Sequence, residues 1–268
     1  MMKEKVIAWN ENGRLIEYVK NDKKSVPYLY VDLVNYKKDD LNVNLYVDEE
    51  GGMLNGISLQ YYDCLHFYTN SPEKYSVQRI TELIDSLRPH TIMLQEQIGE
   101  KIKGYINNSY SLEINYILDM DQVFFDNREY VSKFANREDI EMIVDLLLTE
   151  DEYSVVYSKA ILLKQMLSRF DEGIGRHIIV KDGVNVVAES CTYGETEDMA
   201  IIGGTIVHRD YRRQGYAMDV VKHICSVLHD EEKSCVVFIN VDNIPSIELH
   251  KKIGAEPYAK YYKFIKRV

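Results

Sequence analysis

The stretch Thr205-Ile206-Val207-His208-Arg209-Asp210-Tyr211-Arg212-Arg213-Gln214-Gly215-Tyr216-Ala217 decides the fold. Its apolar opening, Thr205-Ile206-Val207, reads as the end of a strand, and a loop rich in arginine follows. From there Ala217, Val220, Val221, Ile224, Cys225 and Leu228 recur on one face, which predicts an amphipathic helix. Strand, loop and helix in that order leave free backbone N–H groups at the helix start, where an anionic phosphate binds. Gly215 lets the backbone approach a phosphate and Ala217 keeps its position small, while Arg212 and Arg213 add positive charge beside them. Taken alone, a Gly-x-Ala loop after a strand is equally the ordinary beginning of a helix.

The surroundings narrow that choice. Gly203-Gly204 interrupts a strand over 199–207, which predicts a bulge. Upstream, His177-Ile178-Ile179-Val180 and a strand over 184–192 flank Asp182-Gly183, a tight hairpin signal, and the polar turn 194–198 leads to the next strand. Tyr130-Val131-Ser132-Lys133-Phe134 alternates as a strand. Asn136 can cap a helix with Asp139 in its first turn and Ile140, Ile143, Val144 and Leu147 on one face. A second helix is predicted over 158–170. Downstream come a strand over 235–240 and the run Asn243-Ile244-Pro245-Ser246-Ile247-Glu248-Leu249-His250-Lys251-Lys252-Ile253-Gly254-Ala255.

The first half carries its own pattern. Lys5-Val6-Ile7-Ala8-Trp9 and Arg14-Leu15-Ile16-Glu17-Tyr18 flank Asn12-Gly13 and predict a hairpin. Strands are predicted over 28–34, 43–47 and 57–68. Val77, Ile80, Leu83, Ile84 and Leu87 predict a helix over 76–87 that stops before Pro89, and a strand pair is predicted near 91–94 and 112–120. The pattern restarts around residues 121–128.

Arg212-x-x-Gly215-x-Ala217 resembles the Arg/Gln-x-x-Gly-x-Gly/Ala pyrophosphate loop of the GNAT acetyltransferase superfamily, and the run from Asn243 to Ala255 is similar to that family's Asn-x-x-Ala/Ser-x-x-Leu-Tyr-x-x-x-Gly-Phe segment. The resemblance covers about residues 128–268. It implies an α/β protein of the GNAT fold, a mixed, mostly antiparallel sheet flanked by helices. Two GNAT-like halves are expected, a degenerate one over 1–125 and an acetyl-CoA-binding one over 126–268. No Arg-x-x-Gly-x-Gly loop occurs in the first half, so one cofactor site is expected.

The resemblance also implies site residues. Ile206 and Val207 would offer backbone groups to the pantetheine arm, and Arg212, Arg213, Gln214, Gly215, Tyr216 and Ala217 would hold the pyrophosphate. Asn243 and Ser246 would contact coenzyme A, though Asn243 is equally placed to cap the helix that Pro245 opens. His250 stands where the family has a tyrosine that protonates the departing thiolate. A histidine can donate that proton; alternatively it is a solvated residue and Tyr258, Tyr261 or Tyr262 takes over. Glu189 is the carboxylate the analogy makes the base for the amine, with Glu195 and Glu197 on the next turn. The implied reaction is direct transfer of an acetyl group from acetyl-CoA to a primary amine; the alternative is a non-catalytic coenzyme A-binding protein.

Bulk properties bound the rest. The 268 residues, 46% hydrophobic and 28% charged, suit a soluble globular protein. No apolar run approaches the roughly 20 residues of a membrane span, and no signal-peptide core follows Met1, which predicts a cytoplasmic protein. The net charge of −11 disfavours nucleic acid as a partner. Cys64, Cys191, Cys225 and Cys235 have no metal-ligand spacing, so buried reduced thiols and no metal are expected. The acceptor amine and the oligomeric state stay open.

Overall fold

The computed structural model describes residues 3–4, 12–35, 43–106, 109–125, 129–155 and 157–267. Contacts divide the chain into two compact units whose sequences interleave. The first comprises 1–117, 239–243 and 257–268, and the second 118–238 and 244–256. The division therefore falls before Leu118, eight residues ahead of the expected boundary before residue 126, and the last strand belongs to the first unit.

The first unit runs β1 (Lys3–Glu4), α1 (Asn12–Lys20), α2 (Pro27–Asn35), β2 (Val43–Glu50), β3 (Met53–Tyr61), β4 (Cys64–Tyr68), α3 (Val77–Leu87), β5 (Thr91–Gln95), α4 (Glu96–Ile102) and β6 (Tyr110–Asp119). Two expectations fail here. The hairpin arm 14–18 lies inside α1, because Leu15 and Val19, four residues apart, bury one helical face; its other arm, 5–9, lies outside the described residues. The strand expected over 28–34 is α2. Pro27 is tolerated in a first helical turn, and burial of Leu29, Tyr30, Val31 and Leu33 overrides the strand preference of its aromatic and branched residues.

The other elements of this unit follow the pattern of the sequence. The expected 57–68 strand is two strands, broken at Tyr62-Asp63, and α3 ends with Arg88 in the left-handed conformation just before Pro89. β5 and β6 form where a strand pair was expected but are not neighbours: the last strand, β12 (Glu256–Lys266), stands between them. The sheet order is β1-β2-β3-β4-β5-β12-β6, with β4 and β5 parallel. Ile80, Leu83 and Ile84 of α3 pack with Leu65, Phe67, Ile92, Leu94, Tyr262 and Phe264 in its core.

The second unit runs β7 (Lys133–Phe134), α5 (Ile140–Leu147), α6 (Asp151–Ser154), α7 (Lys159–Asp171), β8 (His177–Asp182), β9 (Asn185–Glu195), β10 (Met199–Val207), α8 (Tyr216–Asp230), β11 (Ser234–Asn240, its last two residues in the first unit) and α9 (Ile244–Lys252). β12 (Glu256–Lys266) then returns to the first unit from Pro257. Here nearly every expected element forms. Asn136 and Asp139 make a reciprocal capping box, and the helix that follows buries Ile140, Ile143, Val144 and Leu147. α8 buries Val220, Val221, Ile224, Cys225 and Leu228, the face read from the sequence. The sheet order is β11-β10-β9-β8-β7, antiparallel except for β10 with β11. The strand expected over 130–134 shrinks to Lys133-Phe134. Among the described residues no helix is long and apolar enough to cross a membrane.

One buried group makes the first unit's stability depend on pH. Asp32 is buried on α2, with its Oδ2 4.0 Å from Nε2 of the buried His66, and burial pushes its carboxyl up to about 7. Between about pH 4 and 7 the folded state keeps a proton that the unfolded chain has released, so Asp32 destabilises the fold increasingly as pH rises through that window. Burial also pushes His66 down to about 4, which acts in the opposite direction and partly masks the effect in the wild type. Asp32→Asn is therefore predicted to stabilise the protein by up to about 4 kcal/mol at pH 8 and by only about 1.5 kcal/mol at pH 5. Urea denaturation at the two pH values checks this; equal gains at both would refute it.

Candidate active site

β10 is the strand on which the site depends. It pairs with β11 only over Met199–Ile202, and among the described residues it keeps only β9 as a partner from Gly203 onward. Its register with β9 shifts between Gly203 and Ile206, the bulge that Gly203-Gly204 predicts. Gly204 has φ +61, and a Cβ there would lie 2.7 Å from the Cys191 sulfur; a Cβ on Gly203 would lie 2.1 Å from the Tyr193 ring. These two glycines let β9 side chains sit against the backbone of β10.

Beside the bulge, within the second unit, lies a cavity of about 290 Å³. Buried polar groups of β8 and β9 (His177, Glu189, Cys191 and Thr192) form part of its lining, with Gly204 next to them. Leu147, Tyr153, Tyr157, Leu162 and Met166 give it apolar walls, while the exposed Gln165, Arg169 and Tyr193 lie toward solvent. Arg169 donates from Nη2 to the Tyr193 carbonyl at 2.8 Å.

Glu189 is 1% exposed, and its Oε1 accepts a 2.5 Å hydrogen bond from His177 Nδ1. Its Oε2 is buried with no hydrogen-bond partner among the described residues. Burial pushes the Glu189 carboxyl up, and the bond from His177 offsets part of that rise. The Cys191 thiol is pushed well up by burial and by the neighbouring carboxylate, so it stays a thiol. The donor atoms of His177, Glu189 and Cys191 lie within 4.8 Å of one another, the ligand types of a zinc site. Yet the 2.5 Å between His177 Nδ1 and Glu189 Oε1 is a hydrogen-bond distance; two ligands about 2 Å from one tetrahedral ion stand farther apart than that. A buried imidazole–carboxylate pair of this kind has the chemistry to hold a proton.

The rival carboxylates on the next turn are placed otherwise. Burial raises Glu195, but bonds from Arg176, Lys233 and Thr192 outweigh it and hold the group at about 2. Glu197 is exposed. His177, which the sequence leaves without a partner, is the hydrogen-bond partner of Glu189 that sequence reasoning misses.

At the far end of β10 the arginine loop begins. Ile206 pairs with Glu189 and Val207 with Ala188 across the strands. The Val207 carbonyl accepts from Arg212 Nε at 3.0 Å, and the same guanidinium is ion-paired to Glu150. Arg213 has φ +63 and Gly215 φ +90, and nothing lies within 4 Å of where a Gly215 Cβ would be. Gly215 caps α8, whose first N–H groups, from Tyr216 on, have no carbonyl one turn back within the helix. Arg212, Arg213, Gln214 and Gly215 are exposed. An exposed loop with a clear glycine face at the start of a fifteen-residue helix fits a phosphate group.

His250 is not the solvated residue of one sequence alternative: it is 1% exposed on α9. Its Nδ1 donates to the Ser246 carbonyl at 2.8 Å, which leaves Nε2, buried and without a partner, as a lone-pair acceptor. Burial pushes its pKa down and the bond to Ser246 offsets part of that. In this form the ring has no proton at Nε2 to give a departing sulfur. Asn243 and Ser246 stand just before and within the first turns of the same helix.

A family model described as FR47-like protein matches residues 181–264, from the end of β8 into β12. Among solved structures, a Drosophila protein is similar over 98% of this chain and 98% of its own, at 14% identity and a TM-score of 0.67. A GCN5-related N-acetyltransferase from Sphaerobacter thermophilus is similar over 99% of this chain and 95% of its own, at 12% identity and a TM-score of 0.65. A tandem GNAT protein from the clavulanic acid biosynthesis pathway is similar over 98% and 97%, at 13% identity and a TM-score of 0.60. No curated protein matches the chain.

The bulge gives a direct test of this geometry. Gly204→Ala should destabilise the protein by about 1–3 kcal/mol through its left-handed backbone and its contact with sulfur. Adding Cys191→Ala should recover only the contact part. Denaturation midpoints of the single and double variants check this, and a neutral Gly204→Ala would refute the bulge geometry.

Proposed function

Because the chain has the two-domain GNAT fold, we propose that it is an N-acyltransferase that moves an acetyl group from acetyl-CoA to a primary amine. The observation that carries the reading is the layout along β10. A buried carboxylate–imidazole pair lies beside its glycine bulge, and a phosphate-competent loop opens where the strand ends. Arg212, Arg213, Gln214, Gly215, Tyr216 and Ala217 would hold the pyrophosphate, with Ile206 and Val207 beside the pantetheine arm and Asn243 and Ser246 as further contacts. Acetyl-CoA supplies the activated acyl group.

The protein's own residues handle the protons. An amine arrives as an ammonium, with a pKa near 10, and must lose a proton before its nitrogen can attack. Glu189 Oε2 is an acceptor without a partner, and His177 holds Oε1 so that Oε2 keeps its aim. Glu189 takes the first proton and releases it toward solvent through the cavity. The neutral amine attacks the thioester carbonyl, the C–N bond forms and the C–S bond breaks. The second nitrogen proton goes to the departing thiolate, which His250 in its Nδ1–H form cannot protonate. His250 thereby becomes a buried group of α9 and carries no proton in the cycle.

Two measurements test this. Gly215→Glu places a charged side chain on the clear face of the loop and on a φ of +90. Calorimetric titration with acetyl-CoA should show binding by the wild type and none by the variant; equal affinity would sink the site. Glu189→Gln should lower kcat about 10²–10⁴-fold while leaving acetyl-CoA affinity within a factor of two or so. In the wild type, activity needs ionised Glu189 and so falls as pH drops through a pKa above the ordinary carboxylate range. Loss of that acid limb in Glu189→Gln supports the assignment, and an unchanged limb overturns it.

A further inference from the structure

The lining of the cavity says which amines fit, if the chain is an acyltransferase as proposed above. Among its lining residues the formally charged side chains are one carboxylate, Glu189, and one guanidinium, Arg169. Glu189 belongs to the buried part, with a buried oxygen that lacks a hydrogen-bond donor. Arg169 is exposed and, among the described residues, uses only Nη2, toward the Tyr193 carbonyl. A guanidinium carries five N–H donors in a fixed fork, so Arg169 has donors left for a ligand. The apolar part of the lining is Leu147, Leu162 and Met166, with Tyr153, Tyr157 and Tyr193.

We propose that the acceptor is a free α-amino acid with an apolar side chain, its ammonium on Glu189, its carboxylate on Arg169 and its side chain against Leu147, Leu162 and Met166. Size agrees with charge. A cavity of about 150 Å³ holds benzene, so one of about 290 Å³ takes a molecule of about a dozen non-hydrogen atoms, the size class of leucine, methionine or phenylalanine. Other amines fit less well. A polyamine brings a second positive charge toward Arg169 and finds no second carboxylate in the lining. A peptide N-terminus has lost the carboxylate that Arg169 would bind. A plain alkylamine fills the apolar wall but leaves the guanidinium unused.

The test compares amino acids with their decarboxylated counterparts. Thiol release from acetyl-CoA is followed with L-leucine, L-methionine and L-phenylalanine, and with 3-methylbutylamine and 2-phenylethylamine, in the wild type, Arg169→Met and Arg169→Lys. The amino acids should exceed the amines by about ten- to a hundredfold in kcat/KM, the worth of a charged hydrogen bond. Arg169→Met should erase that preference through KM, leave kcat within about threefold and leave the plain amines unchanged, with Arg169→Lys restoring part of it. Equal use of amines and amino acids, or a loss in Arg169→Met that strikes both alike, overturns the proposal. Calorimetry of L-phenylalanine against 2-phenylethylamine on the free protein reads the same preference without turnover. Acetyl-CoA binding without acetylation of any amino acid overturns the acceptor class and leaves the cofactor site standing. Amino-acid binding that depends on Arg169, without acetyl-CoA binding, supports the pocket and overturns the transferase.

Discussion

The glycine bulge in β10 is the constraint on which the second unit's site depends. A β-strand that pairs on both edges has no backbone groups left for a ligand, and its side chains alternate strictly between two faces. Gly203 and Gly204 break both conditions at once. Pairing with β11 stops at Ile202, and the register with β9 shifts before Ile206. The space that two missing Cβ atoms leave is filled by the Tyr193 ring and the Cys191 sulfur. The bulge thus frees one edge of β10 and packs β9 side chains on its other flank, which puts Glu189 opposite Ile206.

Burying Glu189 there is costly, and the cost has a use. A carboxylate out of water with a single hydrogen-bond partner is incompletely compensated, which is why its proton affinity rises. A second donor inside the protein, such as Arg176 and Lys233 supply to Glu195, would have lowered it and made it useless as a base. The contrast between these glutamates, six residues apart on one strand, shows how the environment and not the residue type assigns the role. Glu195 is locked by two cations and a hydroxyl, whereas Glu189 is left one donor short among the described residues.

Legibility in the sequence followed the strength of periodicity. From Asn136 to Ala255 the helices have one apolar face and the strands are bounded by turn residues, so the elements and the faces of α5 and α8 could be read directly. In α2, by contrast, helix and strand patterns cannot be told apart, because Pro27, Leu29, Tyr30, Val31, Asp32 and Leu33 are all buried and no polar face remains to set the period. The site was legible in part. Gly215 and the arginine loop announce themselves through local chemistry. The partner of Glu189 does not, for a geometric reason. Counting back from the pairing Asp182↔Asn185 puts His177 opposite Ser190, on the face away from Glu189. A one-residue irregularity between Val180 and Lys181 moves it opposite Cys191 and onto the Glu189 face. Nothing in the identity of Val186 or Val187 signals that slip.

Arg212 shows how the same logic bears on the loop. The family-like arginine is not waiting in solvent: its guanidinium spans the Val207 carbonyl and the carboxylate of Glu150, the residue just before α6, tying the loop to the start of that helix. Such an exposed pair is worth little in itself, but it positions. It holds Arg212 against the last residue of β10 while Arg213, in a left-handed conformation, is turned outward with Gln214 and Gly215. Of the loop's two arginines, Arg212 is thus tied back to the fold, while Arg213 lies exposed beside the N-terminus of α8.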